Sequence, residues 1–436
     1  MIHDRELALL TDLYELTMLQ AYWQQGMKES ATFSLFVRTL PETRNYLLAC
    51  GIDDALDLLT RIRFQDDHLE YLHTLELFQP AFLKWLRTFR FDGDVFAVPD
   101  GTPVFAQEPI LEIVAPIAQA QFVETLVMNQ VHLQTVIASK AARVVAAAQG
   151  RRVVDFGLRR AHGVDAGLKL ARASYLAGAD ATSNVLAGQR YGIPLAGTMA
   201  HSFIQSFPTE SDAFRAFAEL YPQTTLLVDT YDTLEGVRQV IALAAQLGSN
   251  FTVRALRLDS GDLLALARES RQLLDAAGLQ FVELFASGGL DEYSIRELVR
   301  AQAPLAGFGV GTRLAVSQDA PALDMAYKLT SYAGRDRVKL STGKQSLPGQ
   351  KQIFRHELDG IAQRDTLARF GEELPGRPLL QMVMKNGERL APAPSLTQTR
   401  QHTREQIAAL PSALHELEPA APYPVLLSDA LRSAQR

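Results

Sequence analysis

Side chains that can do acid–base, nucleophilic or metal chemistry follow two apolar runs in the sequence. GTMAHSF places His201 and Ser202 after an apolar run, and RLDSGD supplies Arg257, Asp259 and Asp262. A histidine can act as a base, a metal ligand or a nucleophile because its pKa lies near neutrality. The two carboxylates bracket a Ser-Gly turn and could reach one diol or one hydrated Mg²⁺. The simpler alternatives are a hydrogen-bonded histidine in a polar crevice and an aspartate that caps a helix.

Two glycine-containing segments later in the chain predict phosphate binding. ASGGLDE contains Gly288 and Gly289, and FGVGTR contains Gly309, Gly311 and Thr312. Glycines at the start of a helix expose backbone N–H groups, which bind phosphate together with the helix dipole. A single glycine pair is more often an ordinary tight turn. Two such loops in series after the last strands match the usual phosphate site of a barrel, so we expect them to bind phosphate.

An aromatic ring and two arginines follow another apolar run, in DFGLRRAHG. Phe156 with Arg159 or Arg160 suits a planar anion, through ring stacking and a bidentate contact to a carboxylate. We expect one arginine to bind the ligand and the other to be structural. LVDTYDT adds Asp229 and Asp232. These two acids could form a metal site, but we favour a supporting role beside nearby arginines.

All these side chains belong to a pattern that repeats six times between Val153 and Arg313. Each unit is a short apolar run followed by a polar, often glycine-rich cluster: VVDFGLRRAHG, PLAGTMAHS, LLVDTYDT, VRALRLDSGD, FVELFASGGLDE and AGFGVGTR. Such runs, with helical stretches between them, predict buried parallel strands. Recurrence every roughly 25 to 40 residues is the βα period of a barrel or a doubly wound sheet. Because active sites of these folds gather where the strands end, we expect the clusters to meet at one mouth.

The sequence on either side of the repeats predicts a second, mixed set of elements. LLTDLYELTMLQAYWQQGM has helical spacing, and ATFSLFVRTL alternates like a half-buried strand. Residues 49–91 have a helical pattern, GDVFAVPDGTPVFAQEPILEIVAP offers three short strands, and a long helix ends near Gly150. RVKLSTGKQSLPGQKQIFRHELDG predicts hairpin strands. Beyond Met384 the chain is weakly periodic, and we expect part of this tail to wrap the surface.

The composition of the 436 residues excludes several classes of protein. With 47% hydrophobic and 21% charged residues, the chain is an ordinary globular protein, long enough for two or three domains. A net charge of −6 provides no basic field for nucleic acid or an anionic membrane. Cys50 is the only cysteine, so no intrachain disulfide or multi-thiolate metal site can form. MIHDRELALL does not resemble a signal peptide and no run could span a membrane, so we expect a cytoplasmic protein.

Taken in order, the motifs resemble the nicotinate phosphoribosyltransferase family over most of the chain. They are TDLYELTM, FVR, EPILEI, ASKAAR, DFGLRRA, TSNV, GTMAHS, RLDSGD, SGGLDE, FGVGT and KQIFRHEL. The resemblance implies an irregular, TIM-like α/β barrel plus an N-terminal α/β domain completed by C-terminal segments. We place the N-terminal domain at residues 1–120, the barrel at 121–330, and a C-terminal hairpin and tail at 331–436 that packs back on the first domain. Residues 52–95 and those beyond 392 carry no matched motif.

The same resemblance implies an ATP-coupled glycosyl transfer in NAD salvage. Nicotinate, phosphoribosyl pyrophosphate, ATP and water would give nicotinate mononucleotide, diphosphate, ADP and phosphate, a ligase reaction with Mg²⁺ as cofactor. His201 would be the residue that ATP phosphorylates. The enzyme would be a homodimer with an active site shared between subunits, and neither nucleic acid nor a membrane would be a partner.

Four residues would form the pyridine site by this resemblance. Phe156 and the partner subunit's Tyr14 would sandwich the ring, and Arg159 would face the nicotinate carboxylate. Ser183 occupies the position where related nicotinamide-using enzymes carry an aspartate. A carboxylate there would accept a hydrogen bond from a neutral amide but repel another carboxylate. Ser183 therefore favours the acid over the amide.

The remaining roles implied by the resemblance concern the sugar and its phosphates. Arg257 would lie near the pyridine and the diphosphate, and Asp259 would hold the ribose or its Mg²⁺, with Asp262 as the second candidate metal ligand. Arg38 and Lys140 would reach the diphosphate. The 5′-phosphate would bind at Gly288, Gly289, Gly309, Gly311 and Thr312.

Two alternatives stay open from the sequence. The closer one is a phosphoribosyltransferase of the same architecture that uses nicotinamide or quinolinate, although quinolinate would call for more cations around the ring. The other is a non-catalytic phosphosugar-binding barrel that serves as a sensor or scaffold. His201 with Asp259 and Asp262 argues against mere binding, because binding does not need a phosphorylatable imidazole.

Overall fold

The computed structural model describes residues 5–339, 341 and 346–435. Residues 1–4, 340, 342–345 and 436 lie outside the description. They include the start of MIHDRELALL and the middle of the predicted hairpin RVKLSTGKQSLPGQ, so those two predictions fall partly outside the described residues. Contacts divide the chain into two compact units, Met1–Ser139 with Ala320–Arg436 and Lys140–Asp319. The first unit is therefore built from both ends of the chain.

Sixteen α-helices and nineteen β-strands run along the described residues. The helices are α1 Leu13–Gln24, α2 Ile52–Arg61, α3 Asp66–Thr74, α4 Pro80–Leu86, α5 Ile117–Phe122, α6 Glu124–Ala148, α7 Val164–Leu176, α8 Val185–Tyr191, α9 His201–Gln205, α10 Glu210–Leu220, α11 Thr233–Leu247, α12 Leu263–Ala276, α13 Glu292–Arg300, α14 Thr312–Ala315, α15 Leu396–Ala408 and α16 Asp429–Ala434. The strands are β1 Ser30–Val37, β2 Leu47–Leu48, β3 Asp94–Ala97, β4 Pro103–Val104, β5 Pro109–Pro116, β6 Arg152–Asp155, β7 Ala181–Thr182, β8 Thr225–Leu227, β9 Ala255–Leu258, β10 Glu283–Ala286, β11 Gly307–Val310, β12 Met325–Tyr332, β13 Arg335–Asp336, β14 Lys351–Leu358, β15 Ile361–Arg369, β16 Arg377–Pro378, β17 Gln381–Lys385, β18 Glu388–Arg389 and β19 Val425–Leu427. Across the described ranges, no helix is long and apolar enough to cross a bilayer.

A six-stranded parallel sheet forms the centre of the second unit. Its order is β7-β6-β11-β10-β9-β8, and every neighbouring pair runs parallel. The strands are short and largely buried, and helices connect them, as the apolar runs predict. Because β7 and β8 are edge strands, the sheet is an open half-barrel. Because all six strands are parallel, their carboxyl ends lie at the same edge of the sheet. This arrangement confirms the predicted α/β class and its irregular barrel.

One of the six predicted strands is a different segment from the one expected. PLAGTMAHS forms only an isolated bridge between Leu195 and Thr182, and the sixth strand is β7. The bridge consists of two backbone bonds, from Thr182 N to the carbonyl of Pro194 and from Ala196 N to the carbonyl of Thr182. Pro194 has no N–H to extend the ladder, and Gly197 weakens a strand, so the segment passes the sheet edge without joining it. The prediction of a strand here is wrong.

A seven-stranded antiparallel sheet of order β13-β12-β1-β5-β3-β17-β18 runs through the first unit. The predicted strand ATFSLFVRTL is β1, but it is buried on both faces rather than half-buried. Its alternating polar residue Ser34 is buried because it donates to Glu112, which also receives Lys351 Nζ at 2.9 Å. An alternating pattern therefore marks a buried polar network here, and the expectation of a solvent-facing side is wrong.

The other elements of the first unit follow the sequence more closely. Residues 49–91 form α2, α3 and α4, and the following segment forms β3, β4 and β5, as predicted. The long helix is split into α5 and α6. The weakly periodic tail nevertheless contains α15, which begins at a Ser395 capping box, and β19, which joins the four-stranded sheet β16-β14-β15-β19. Helix α15 buries only Thr399 and Thr403, so it has no apolar stripe to reveal it.

Candidate active site

His201 is the first residue of α9 and meets loops that follow two strands of the parallel sheet. Its Nδ1 lies 3.1 Å from Oγ1 of Thr230, in the loop after β8. Its Nε2 lies 3.9 Å from Oδ2 of Asp259, in the loop after β9. Its side chain is 42% exposed, so a ligand can reach the imidazole. Segments far apart in the sequence therefore meet at this histidine, as the strand-end pattern predicts.

Asp259, Arg257 and Ser287 form a hydrogen-bonded network beside the imidazole. Nη2 of Arg257 donates to Oδ1 of Asp259 at 2.7 Å, and its Nε donates to Oγ of Ser287 at 2.8 Å. The hydroxyl of Ser287, which is buried, donates in turn to Oδ1 of Asp259. Burial alone would raise the pKa of Asp259, but the bonds from Arg257 and Ser287 and the charge of Arg257 hold it below its usual value. Asp259 is therefore ionised at neutral pH, with its Oδ2 on the side of His201.

Phe156 and Arg257 form one surface at the strand ends. The guanidinium carbon of Arg257 lies 5.6 Å from the centroid of the Phe156 ring, and its Nη1 donates to Oγ1 of Thr198 at 2.8 Å. Phe285 lies on another side of the ring, with centroids 6.3 Å apart. Gly309, inside β11, makes room for the ring, because a Cβ there would lie 2.5 Å from two of its atoms. An aromatic face beside a cation suits a planar anion.

The two residues predicted to read the pyridine carboxylate follow neighbouring strands. Arg159 lies on the exposed 3₁₀ turn Leu158–Arg160 after β6, together with Arg160. Ser183 is the first residue after β7, and Asp155 and Thr182, the last residues of β6 and β7, are direct partners in the sheet. The adjacent strand ends bring the two loops to the same edge of the sheet. Contact with a pyridine stays a prediction.

The glycine loops differ in what their geometry explains. Gly288 has φ +91°, and a Cβ there would lie 1.7 Å from the carbonyl oxygen of Asp259, so the loop after β10 packs directly on the loop after β9. Gly289 has φ +64° with nothing within 4 Å of a Cβ. Gly311 is the N-cap of the short helix α14, which begins at Thr312. Phosphate binding by these residues, and by Gly309 inside β11, stays a prediction.

Asp229 ties the loop after β8 to the loop after β9. Its Oδ2 accepts hydrogen bonds from N of Asp259 at 3.0 Å and from Oγ of Ser260 at 2.6 Å. Its Oδ1 has no hydrogen-bond partner among the described residues. Burial, followed by the charge of Asp229 and of two other acids, raises the pKa of Glu210 to about 7. The two bonds to Asp259 and Ser260 show that Asp229 supports the loop after β9 rather than an arginine.

Two predicted site residues, Tyr14 and Arg38, belong to the first unit. Tyr14 lies on α1 and is 45% exposed, and its hydroxyl donates to Oε1 of Glu15 at 3.4 Å. Burial, followed by the charges of Glu124 and Glu15, raises the pKa of Tyr14. Arg38 pairs with Asp324 at 2.6 Å. Their predicted contacts with substrate stay predictions.

Lys140 is the first residue of the second unit, and its ammonium is buried between acids. Its Nζ donates to Glu292 and, at 2.7 Å, to Asp319, while Nε of Arg143 donates to Glu292 at 3.0 Å. Only 2% of the Lys140 side chain is exposed. A contact between this buried lysine and a diphosphate stays a prediction.

The donor chemistry fits Mg²⁺ only as a site shared with substrate. No group of three or more His, Cys, Asp or Glu side chains in the described ranges could hold a metal ion by itself. Asp262 caps α12, since its Oδ1 accepts from N of Leu264 and of Ala265, both at 3.1 Å. Mg²⁺ usually keeps several waters and binds one or two carboxylates together with substrate phosphates. Asp259 can supply such a carboxylate. Asp262 could add only its Oδ2 as a ligand, because its Oδ1 already accepts two backbone hydrogen bonds.

Sequence motifs do not single out Ser287, Thr198 or Thr230, although all three contact the His201–Asp259–Arg257 network. Hydroxyl residues are common in loops, so their type carries no signal. Position does carry one: Ser287 directly follows the last residue of β10, where an active-site residue of such a fold is expected.

Family models match nearly the whole chain. The nicotinate phosphoribosyltransferase N-terminal domain matches residues 9–132, the nicotinate phosphoribosyltransferase family model matches 151–346, and the C-terminal domain of the same family matches 327–435.

Curated relatives and solved structures agree with the models. A nicotinate phosphoribosyltransferase, pncB2, of Mycobacterium tuberculosis is 57% identical over 97% of this chain and 92% of its own length. The Bacillus subtilis nicotinate phosphoribosyltransferase is 36% identical over 87% of this chain and 79% of its own length. The crystal structure of human nicotinic acid phosphoribosyltransferase superposes with a TM-score of 0.87 at 30% identity, covering 97% of this chain and 98% of that one.

Proposed function

The chain belongs to the nicotinate phosphoribosyltransferase family, and we propose that it makes nicotinate mononucleotide from nicotinate and phosphoribosyl pyrophosphate, coupled to ATP hydrolysis, in NAD salvage. The observation that carries the proposal is the meeting of His201, Asp259 and Arg257 at the strand ends. An accessible imidazole 3.9 Å from an ionised carboxylate, beside a guanidinium, suits a reaction in which phosphate groups and charge are transferred.

Charge decides the roles around the ribose. Breaking the bond between C1 and the diphosphate develops positive charge on the ribose and negative charge on the leaving group. Asp259 would stabilise the ribose, and Arg257 would stabilise the diphosphate. The backbone N–H groups near Gly288 and Gly311 would hold the 5′-phosphate, so that C1 stays in line with the ring nitrogen of nicotinate.

Arg38 and Lys140 would also bind the diphosphate. Mg²⁺, when bound, supplies positive charge that stabilises the leaving diphosphate. Asp259 would hold this cation jointly with the substrate phosphates, and Asp262 would add its second oxygen.

Phe156 and Arg159 would hold the pyridine. The ring would stack on Phe156, with Arg159 on the carboxylate, and the partner subunit's Tyr14 would cover the other face in a homodimer. The partial exposure of Phe156 and the exposure of Arg159 support this assignment. Ser183 carries no charge to repel the carboxylate, which supports nicotinate over nicotinamide.

ATP would act through His201. Thr230 engages Nδ1 at 3.1 Å, which leaves Nε2 to attack the γ-phosphorus of ATP and release ADP. The phosphoryl group would add negative charge near Asp259 and change the order of the loops and their affinity for the diphosphate. Water would later hydrolyse the phosphohistidine and release phosphate.

A substrate comparison tests the function. The purified protein is incubated with Mg²⁺, phosphoribosyl pyrophosphate and one of nicotinate, nicotinamide or quinolinate, with and without ATP, and mononucleotides are measured by mass spectrometry. We expect nicotinate mononucleotide, formed faster with ATP. A higher kcat/KM with nicotinamide or quinolinate would show that this pyridine, and not nicotinate, is the substrate. The absence of product with all three pyridines would favour a non-catalytic phosphosugar-binding barrel.

A further inference from the structure

Asp155 and Thr182 join the two loops that would read the pyridine carboxylate. They are the last residues of β6 and β7 and are direct partners in the sheet. Oδ2 of Asp155 accepts a hydrogen bond from Oγ1 of Thr182 at 2.8 Å. Both side chains are buried, with 1% and 0% exposure. The two strand ends are therefore fixed to each other through side chains as well as through the sheet.

Each member of the pair also fixes the loop that follows it. Oδ1 of Asp155 accepts from N of Gly157 at 2.8 Å, where the turn that carries Arg159 begins. Across the sheet, N of Ser183 donates to the carbonyl of Asp155 at 2.9 Å. N of Asn184 donates to Oγ1 of Thr182 at 3.1 Å. One carboxylate and one hydroxyl thus set the spacing between the Arg159 turn and the Ser183 loop.

Burying the carboxylate of Asp155 between two loops costs desolvation free energy. Burial raises the pKa of Asp155, and the hydrogen bonds from Gly157 and Thr182 only partly oppose this. The bonds that hold the carboxylate come from a backbone N–H group and a hydroxyl, one on each carboxylate oxygen. A carboxylate can accept on both oxygens at once, whereas an asparagine in its place accepts on one only. The site therefore uses a property that belongs to the acid.

We propose that Asp155 and Thr182 are positioning residues for pyridine selection, which lock the Arg159 turn against the Ser183 loop so that both face the same nicotinate carboxylate. This inference rests on the proposed function. It assigns no contact between either residue and substrate. Its physical basis is that small errors in the placement of a carboxylate-binding arginine weaken a bidentate contact strongly.

Thr182→Val tests the lock with little change of volume. It removes the hydroxyl that donates to Asp155 and accepts from Asn184, and Thr182→Ser is the matched control that keeps this hydroxyl. We expect Thr182→Val to raise the KM for nicotinate about tenfold, because a displaced Arg159 turn weakens the bidentate contact with the carboxylate, while the KM for phosphoribosyl pyrophosphate stays unchanged. Thr182→Ser should behave like the unmodified enzyme. Asp155→Asn should act in the same direction, and its effect should not add to that of Thr182→Val.

The readouts separate a positioning role from a purely structural one. The preference for nicotinate over nicotinamide should fall in Thr182→Val and stay in Thr182→Ser, with melting temperature measured for each. The inference is overturned if Thr182→Val raises both KM values alike, or lowers only the melting temperature, or leaves all of them unchanged. If the unmodified enzyme makes no product from nicotinate, the proposed function itself fails. This outcome is distinct from a failure of the positioning role, which requires an active unmodified enzyme.

Discussion

Asp259 is the residue on which most contacts of the site converge. Its Oδ1 accepts hydrogen bonds from the guanidinium of Arg257 and from the buried hydroxyl of Ser287, and its Oδ2 faces the imidazole of His201. These bonds offset the cost of burying the carboxylate and keep it ionised. Under the proposed function, an ionised acid at this point would stabilise positive charge on the ribose close to the imidazole.

Ser183→Asp should change the choice of pyridine. The new carboxylate would face that of nicotinate, and two like charges about 4 Å apart cost about 4 kcal/mol at the surface of a protein. We expect kcat/KM for nicotinate to fall by at least about 10²-fold, because the repulsion acts on binding and on the transition state alike. Activity with nicotinamide should rise, since its amide can donate to the new acid.

The neutral variant Ser183→Asn is the control, because it has nearly the same shape as aspartate without the charge. It should lose much less activity with nicotinate than Ser183→Asp. Equal losses in the two variants would mean that the size of the new side chain, and not its charge, excludes nicotinate, and an unchanged preference in both would remove Ser183 from the selection of substrate.

At the scale of single residues, the sequence proposes candidates by residue type but does not predict their contacts. His201 and Asp259 are candidates by residue type and by position after an apolar run, and Arg257 lies inside β9; the structure brings the three together, and their roles stay predictions. Asp262 is also a carboxylate shortly after an apolar run, yet its side chain caps helix α12. A linear motif does not separate these two roles, since a carboxylate two residues before a helical N–H satisfies both descriptions. The partners of Asp259 come from other strands, so no local pattern reveals them.

Among the structural elements, the loops after β9 and β10 depend on each other. Gly288 holds φ +91° at the point where its Cα meets the carbonyl of Asp259, and a side chain would lie 1.7 Å from that oxygen. Gly288→Ala must therefore displace one of the two loops. A shift of about 1 Å at a catalytic residue costs about 10² in rate, so we expect kcat to fall by about that factor.

Gly289→Ala is the matched control for this prediction. Its φ of +64° also disfavours alanine, at about 1 to 2 kcal/mol of stability, but a Cβ there has open space. Its melting temperature should fall while kcat falls much less than in Gly288→Ala. Equal kcat values for the two variants would show that backbone strain, and not the approach to Asp259, is what matters.

Periodicity predicts most of the elements, and the exceptions share a cause. The parallel strands β6, β8, β9, β10 and β11 consist mostly of buried apolar residues, which is why they are recognisable. Strand β7 has two residues and pairs through its backbone, so it carries almost no pattern. Helix α15 buries threonines, and β1 buries a polar network. In each case the tertiary environment satisfies polar groups that a local reading assigns to solvent.

At the scale of the whole molecule, the chemistry and the ends of the chain separate into the two compact units. The second unit carries the imidazole, the acids and the glycine loops on one sheet. The first unit carries Tyr14 and Arg38 and is completed by C-terminal strands, including a buried pair between Arg355 and Asp365 at 2.6 Å.

The most direct test of the account follows the phosphoryl group of ATP to His201. The enzyme is incubated with ATP labelled in its γ-phosphate, acid-labile label is located by mass spectrometry, and the stimulation of nicotinate mononucleotide formation by ATP is measured. His201→Ala is compared with His73→Ala, which removes an exposed histidine of the first unit. We predict that the unmodified enzyme and His73→Ala are labelled on the peptide that contains His201 and are stimulated by ATP, whereas His201→Ala is neither labelled nor stimulated. Stimulation by ATP that survives in His201→Ala, or label on another residue, would contradict the account.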